Sequence, residues 1–231
     1  MAKRGERKHM KRISASKLLP ITDKKKKVFI KNPSPGKHSK KCGAPLVFVL
    51  REMLGVVSNA REAGIVLNSG KVHVDGKVVK DEGFPVGLMD VVSLPEEKKN
   101  FRILVDSKGR LKAEKISEGA NLKLLKIKNK VTVGAGLFQL TFHDGRTFLT
   151  KDSKYNPGDS VLFELDKKKI TGHIKLSPGA GCLITEGKHA GVRGKLKEIA
   201  ERAGRKEATL DVDGKEIITF AGYLFPVPEG W

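Results

Sequence analysis

Cysteine is nearly missing from this chain of 231 residues: Cys42 and Cys182 stand far apart, and no Cys-x-x-Cys pair occurs. A disulfide framework and a zinc ribbon are not what organises the fold. Long apolar runs are also missing. The longest, Pro45 to Leu50, is far too short to span a bilayer, and no basic amphipathic helix stands out to lie on one. Charges interrupt Met1 to Leu19 before a signal-peptide core forms, so a soluble, intracellular and cytoplasmic protein is expected, with no membrane partner.

The motifs of catalysis are absent too. No Gly-x4-Gly-Lys-Ser/Thr, no Gly-x-Gly-x-x-Gly after a strand, no His-Glu-x-x-His and no Gly-x-Ser-x-Gly is present. His38 and Cys42 offer two metal-ligand types four residues apart but lack a second pair, so a buried thiol beside a histidine that faces a partner is the preferred reading. His143 and His173 read as turn or surface residues. Glu96-Glu97 and Asp211/Asp213 read as solvated charge. No enzyme activity, metal or cofactor is expected.

Acidic residues are in short supply: 26 Asp+Glu face 46 Lys+Arg, a net charge of +20 and a pI near 9.9. Such an excess calls for a polyanionic partner, with nucleic acid first. Most of it sits at the start, where residues 1–41 carry +13 of the total. Pro20, Pro33, Pro35 and Gly36 break this segment and large apolar residues are few, so an extended arm without its own core is expected, folding onto its partner. The candidate contacts in it are Lys3, Arg4, Arg7, Lys8, Lys11, Arg12, Lys17, Lys24, Lys25, Lys26, Lys27, Lys37, His38, Lys40 and Lys41. If about eight cations meet phosphates, log K falls with log[salt] at a slope of roughly −6 to −7.

After the arm, Pro45 is placed at a first helical position. Leu46, Val47, Val49, Leu50, Met53 and Leu54 follow at near-helical spacing, with Gly55 as the stop. Ser58 or Asn59 caps a second helix carrying Ala63, Val66 and Leu67, which ends at Asn68-Ser69-Gly70. The period then changes to two. Lys71 to Val79 around Asp75-Gly76 predicts a type I′ hairpin with Val72 and Val74 on one face and Lys71 and His73 on the other. Phe84 to Leu94 closes this module as a loop and a strand.

Beyond Pro95 short strands alternate with turns: 102–105, 110–116, 122–133, 137–142, 146–150, 161–165 and 171–176. A small barrel or curled sheet is expected. From Cys182 to Leu196 two strands flank a loop with glycines at 187, 191 and 194, which admit sharp turns and close approach to phosphate, beside Lys188, His189, Arg193 and Lys195. A last hairpin, 208–212 with 215–220, precedes an apolar tail with Tyr223, Phe225 and Trp231, read as packing against the barrel rather than stacking on bases.

These residues carry a resemblance. Lys8-His9-Met10-Lys11-Arg12, Pro33-Ser34-Pro35-Gly36-Lys37-His38, Pro45-Leu46 with Leu50-Arg51-Glu52, Val74 to Val78, Pro85 to Val91 and the glycine loop from Thr185 to Gly194 together resemble the S4e family of archaeal and eukaryotic small-subunit ribosomal proteins. The match covers nearly the whole chain, and the archaeal type fits best. The resemblance implies an α+β, multi-domain chain: a basic arm (1–42), an S4-like RNA-binding module (43–95), a β-rich central domain (96–173), and an SH3-like barrel with a KOW motif and tail (174–231). It implies binding to small-subunit ribosomal RNA beside neighbouring ribosomal proteins, as a monomer within the ribosome. Two departures stand out. Ala60 and Gly64 occupy second-helix positions that are usually basic in the wider S4 superfamily, with Arg61 one position, or about 100°, away; Arg51, Lys71 and Lys77 become the substitutes. Lys188-His189 follow Gly187 where a further glycine is common.

Three functions compete. An RNA-modifying enzyme needs a catalytic domain that the remaining length does not show. A transient transcription or translation factor has little use for the basic arm. A structural, RNA-binding constituent of the small subunit uses every segment, and is the expectation adopted.

Overall fold

A computed structural model describes residues 9–25, 27–117, 119–134, 136–202, 204–212 and 214–228. Lys3, Arg4, Arg7, Lys8, Lys26 and Trp231 lie outside the described residues. The chain divides into two compact units, one of residues up to 104 with 111–120, the other of 105–110 with 121 onward. Among the described residues the fold is mostly β, and no helix is long and apolar enough to cross a membrane.

In the first unit, β1 (His9–Lys11) and β2 (Phe29–Lys31) form an antiparallel ribbon whose central residues, Met10 and Ile30, are directly opposed and buried. β3 (Ala44–Pro45) leads into α1 (Leu46–Phe48), which widens into a π turn over Val49–Met53. Pro45 is thus the N-cap in an extended conformation, and the helix begins at Leu46, one residue later than expected, because Pro45 remains on the strand. Gly55, with φ 66°, ends the segment as expected. α2 (Ala60–Asn68) is capped by Asn59, whose side chain accepts from the Glu62 amide, while the Glu62 carboxylate accepts from the Ser58 amide; the pair is a variant of the capping box.

The Asp75-Gly76 turn joins β4 (His73–Val74) to β5 (Lys77–Val78) with φ of 51° and 74°, the left-handed pair that a two-residue type I′ turn requires. Pro85–Val86 form β6, which pairs with β3. β7 (Val91–Leu94), β8 (Lys99–Val105) and β9 (Leu111–Ile116) complete a sheet of order β5-β4-β7-β8-β9. Leu46, Phe48, Leu50, Leu67, Val72, Val74, Met89, Val92 and Ile103 fill the core. The hairpin's outer face is less basic than expected, because Val78 sits exposed opposite His73.

The expected coreless arm is corrected for its described part. Leu19 and Ile21 are buried with Met10 and Ile30, and the Leu111 amide donates to the Leu18 carbonyl, so residues 9–41 belong to the first unit. A few well-placed aliphatic residues suffice because they add to the module's core instead of making a separate one.

In the second unit, β10 (Leu122–Val133) pairs through its first half with β13 (Ser160–Glu164) and through its second with β11 (Leu137–Phe142), with a register shift between Ile127 and Asn129. β12 (Thr147–Thr150) and β14 (Lys169–Ile174) complete the order β12-β11-β10-β13-β14. Leu125, Ile127, Leu140, Phe142, Val161 and Phe163 pack inside it. A second sheet, order β18-β17-β16-β15-β19, is formed by β15 (Gly181–Ile184), β16 (Arg193–Arg202), β17 (Arg205–Val212), β18 (Lys215–Phe220) and β19 (Leu224–Pro226) over Cys182, Ile184, Leu196, Leu210 and Leu224. Phe225 is buried on β19, as the packing reading of the tail expected. His143 and His173 are not plain surface residues: His143 stands edge-on to Phe225 at 5.2 Å, and His173 lies 2.8 Å from Asp159 and edge-on to Tyr155.

Candidate nucleic-acid interface

A cation contributes most to polyanion binding when no buried carboxylate already holds it, so the partners and burial of each basic side chain bear on its role. In the first unit three of the expected contacts, Arg12, Lys37 and His38, are taken by buried or largely buried acidic partners. Arg12 is 5 % exposed and grips Glu52 with both terminal nitrogens, at 3.3 and 3.0 Å. Lys37 Nζ lies 2.6 Å from Asp75 Oδ2, and Asp75 Oδ1 accepts the Val91 amide at 3.0 Å, so one buried carboxylate links arm, turn and β7. His38, expected to face RNA, is 5 % exposed; its Nε2 is 3.0 Å from Asp90 Oδ2, which also accepts the Gly87 amide at 2.9 Å. These side chains fasten the arm to the module, because a buried charge without a partner would cost more than the fold could offset.

Other cations face solvent. Lys11, Lys17, Lys25, Lys27, Lys40 and Lys41 are exposed, Lys24 is half-buried, and none of the seven has a side-chain ion pair among the described residues. Arg61 and Lys77 are exposed and equally unengaged. Arg51 is half-buried, with Nη2 2.6 Å from Glu52. Lys71 meets Glu96 at 3.0 Å in an exposed pair that solvent screens. Two basic positions on the ribbon, His9 and Lys31, were not singled out from sequence. The polar-apolar-polar triplet His9-Met10-Lys11 carries the signal for His9, while Phe29-Ile30-Lys31 does not alternate and carries none for Lys31.

In the second unit Lys188, Arg193 and Lys195 are exposed and His189 is half-buried. The glycines of this loop answer to packing as well as to turning. At Gly191, φ 88°, a Cβ would run into the Asp106 carbonyl, and at Gly194 it would lie 2.6 Å from the Asp211 carbonyl oxygen. Protein backbone, then, occupies the close approach that sequence reading gave to phosphate. Lys123 is fully buried against Asp144 at 3.0 Å, with Arg146 Nε at 3.2 Å. Burial alone would raise the Asp144 carboxyl, but Lys123, His143 and the Arg146 amide outweigh it and hold its pKa below the ordinary value. Lys126 donates to the Gly222 carbonyl at 2.6 Å, and burial lowers its pKa to about 8 against the opposing pull of Cys182 and Glu186. Burial pushes the Cys182 thiol up to about 11.

Comparison with known proteins gives three findings. The model of Ribosomal family S4e matches residues 97–170, and that of the S4 domain matches residues 45–92. The small ribosomal subunit protein eS4 of Methanosphaera stadtmanae is 43 % identical over 230 residues, covering 98 % of this chain and 95 % of its own length; that of Methanocaldococcus jannaschii is 40 % identical over 237 residues, covering 98 % and 96 %. The crystal structure of the 30S ribosomal protein S4e from Thermoplasma acidophilum superposes with a TM-score of 0.72 at 31 % identity, over 81 % of this chain and 96 % of that one.

Proposed function

The chain belongs to the small ribosomal subunit protein eS4 family, and we propose that it holds ribosomal RNA through a seated basic arm, an S4-like module and a KOW-type loop. It is a structural, RNA-binding constituent of the small ribosomal subunit, and its family is a ribosomal one rather than a family of enzymes. The exposed cations Lys11, Lys17, Lys25, Lys27, Lys40 and Lys41 and the half-buried Lys24 are the arm's phosphate contacts, with Lys3, Arg4, Arg7, Lys8 and Lys26 assigned to the same role from sequence. Arg51, Arg61, Lys71 and Lys77 place the module. Lys188, His189, Arg193 and Lys195 place the loop between β15 and β16, which we read as a KOW motif on an SH3-like sheet. Arg12, Lys37 and His38 act indirectly by fixing the arm. The division into arm, module, central domain and KOW-bearing domain follows the sequence boundaries 1–42, 43–95, 96–173 and 174–231, with β8 and β9 of the third segment completing the module's sheet. Folded RNA is then recognised by phosphates and shape. The partners are small-subunit ribosomal RNA and neighbouring proteins, with one copy per subunit in the cytoplasm and no cofactor.

The observation that carries this reading is the set of exposed, unpaired arm lysines on a chain that aligns with eS4 proteins along nearly its full length. Deleting residues 1–41 would strip Met10, Leu19, Ile21 and Ile30 from the core, so charge neutralisation is the cleaner perturbation. Changing Lys11, Lys17, Lys25, Lys27, Lys40 and Lys41 together to Gln should flatten the log K against log[salt] slope for small-subunit RNA by about 4–5. The pair Arg193→Ala and Lys195→Ala should flatten it by about 1–2. An unchanged slope in the six-lysine variant would refute the role of the arm.

A further inference from the structure

The arm's ribbon carries an arrangement that charge counting does not reveal. Residues directly opposed in an antiparallel pair point to the same face. Met10 and Ile30 are opposed and buried, so the outer face presents Phe29 across from Lys11 and Lys31 across from His9. Phe29 is 60 % exposed, an unusual position for a phenylalanine with no gain from burial. Beside it opens a cavity of about 210 Å³, lined by Phe29, Phe48, His9, Lys31, Arg51 and Glu82. That is room for about seven waters at their liquid volume of about 30 Å³ each, the scale of one planar ring system. Its wall holds unequal polar groups: Lys31 and Glu82 meet at 3.2 Å, while Arg51, with Nη2 on Glu52, keeps a buried Nε with no hydrogen-bond partner among the described residues.

We propose that Phe29 and this cavity form a site for one unpaired ribosomal RNA base, stacked on the Phe29 ring with its edge toward Arg51 and Glu82 and its phosphates toward Lys11 and His9. The proposal rests on the RNA-binding reading above and adds a base contact to it. An exposed aromatic among cations is the construction that stacks bases without reading sequence. Ile13 and Val28, 73 % and 62 % exposed, extend the apolar surface and raise a protein partner as the rival occupant. The cations around Phe29 favour RNA, since the centres of protein interfaces are depleted of charge.

The test uses the full chain and an intact small-subunit ribosomal RNA transcript in filter binding across a salt series. Phe29→Ala and Phe29→Leu should each weaken binding about 5- to 150-fold without altering the salt slope, while Phe29→Tyr keeps it. Thermal melts identify any variant that fails to fold. Ultraviolet cross-linking of the unaltered chain to the same RNA gives an independent readout and should place an adduct on Phe29. Full affinity in the leucine variant, or adducts only elsewhere, would overturn stacking. A loss seen only when other ribosomal proteins are present would overturn it in favour of a protein contact. No binding by the unaltered chain would remove the RNA reading itself and this site with it.

Discussion

Replacing Gly87 by alanine tests whether the arm is seated on the module by shape. A Cβ at that position would lie 2.5 Å from His38 Nδ1, 2.6 Å from Cγ and 2.7 Å from Cε1. The ring has nowhere to retreat, because a Cβ on Gly43 would already be 2.9 Å from the His38 Cβ, and Asp90 holds Nε2 at 3.0 Å. Displacing the ring forfeits a buried hydrogen bond to a carboxylate, about 1.5–3 kcal/mol, and adds overpacking strain of about 1–3 kcal/mol. The sum, about 2.5–6 kcal/mol, corresponds to a fall of about 10 °C or more in the melting of the first unit. His38→Ala alone removes the bond but opens space, so adding Gly87→Ala to it should cost little more. The cycle of two single variants and the double, measured by urea unfolding followed by circular dichroism, should show a coupling close to the whole Gly87→Ala loss, about 2.5–6 kcal/mol. Additive losses, or an unchanged Gly87→Ala protein, would refute the seat.

The buried pair in the second unit makes a second case: Lys123→Met leaves the Asp144 carboxylate without its ammonium and should cost about 3–5 kcal/mol in urea unfolding at neutral pH, with Asp144→Asn recovering part of it. Asp144 titrates below its ordinary 3.8, so its stabilisation is complete above the unfolded pKa and is lost as pH falls through the folded one; acid unfolding of the unaltered chain and the double variant should diverge less below that range. Lys126 and Cys182 oppose one another in alkali. With Lys126 at about 8 against 10.5, the unfolded chain binds more protons between these values and stability rises with pH there, by at most about 3 kcal/mol. With Cys182 at about 11 against 9.0, the folded chain keeps its proton longer and stability falls between those values. Melting from pH 8 to 10.5 should therefore climb more steeply in Cys182→Ala and fall in Lys126→Met; parallel curves would refute the assignment.

Periodicity made the strands legible. The ranges 122–133, 137–142 and 215–220 coincide with β10, β11 and β18, because alternation and Asp-Gly turns are local properties that tertiary packing left alone. The Asp75-Gly76 hairpin was readable for the same reason. Its third use was not: a turn aspartate that also holds Lys37 and the Val91 amide depends on chain segments 38 and 16 residues away. The arm was misread because charge density was weighed over Met10, Leu19, Ile21 and Ile30, each too isolated in sequence to announce a core, yet sufficient when a neighbouring core accepts them. Arg12 and His38 looked like contacts for the same reason, since nothing local marks Glu52 and Asp90 as their partners.

That misreading bears on how the arm binds. Fixing a disordered residue costs about 1–2 kcal/mol of backbone entropy, so ordering residues 9–41 only on RNA would cost tens of kcal/mol. Here the apolar residues of the arm, its two acid-held cations Arg12 and Lys37, and the His38–Asp90 contact meet much of that cost within the fold. Two positive charges, those of Arg12 and Lys37, are withdrawn from the pool that could release counterions, and in exchange the exposed lysines and Phe29 are held on a formed surface. The trade favours placement over raw charge: a solvated tail binds any polyanion, whereas on the proposed reading a seated ribbon binds the RNA whose phosphates and one free base match its spacing.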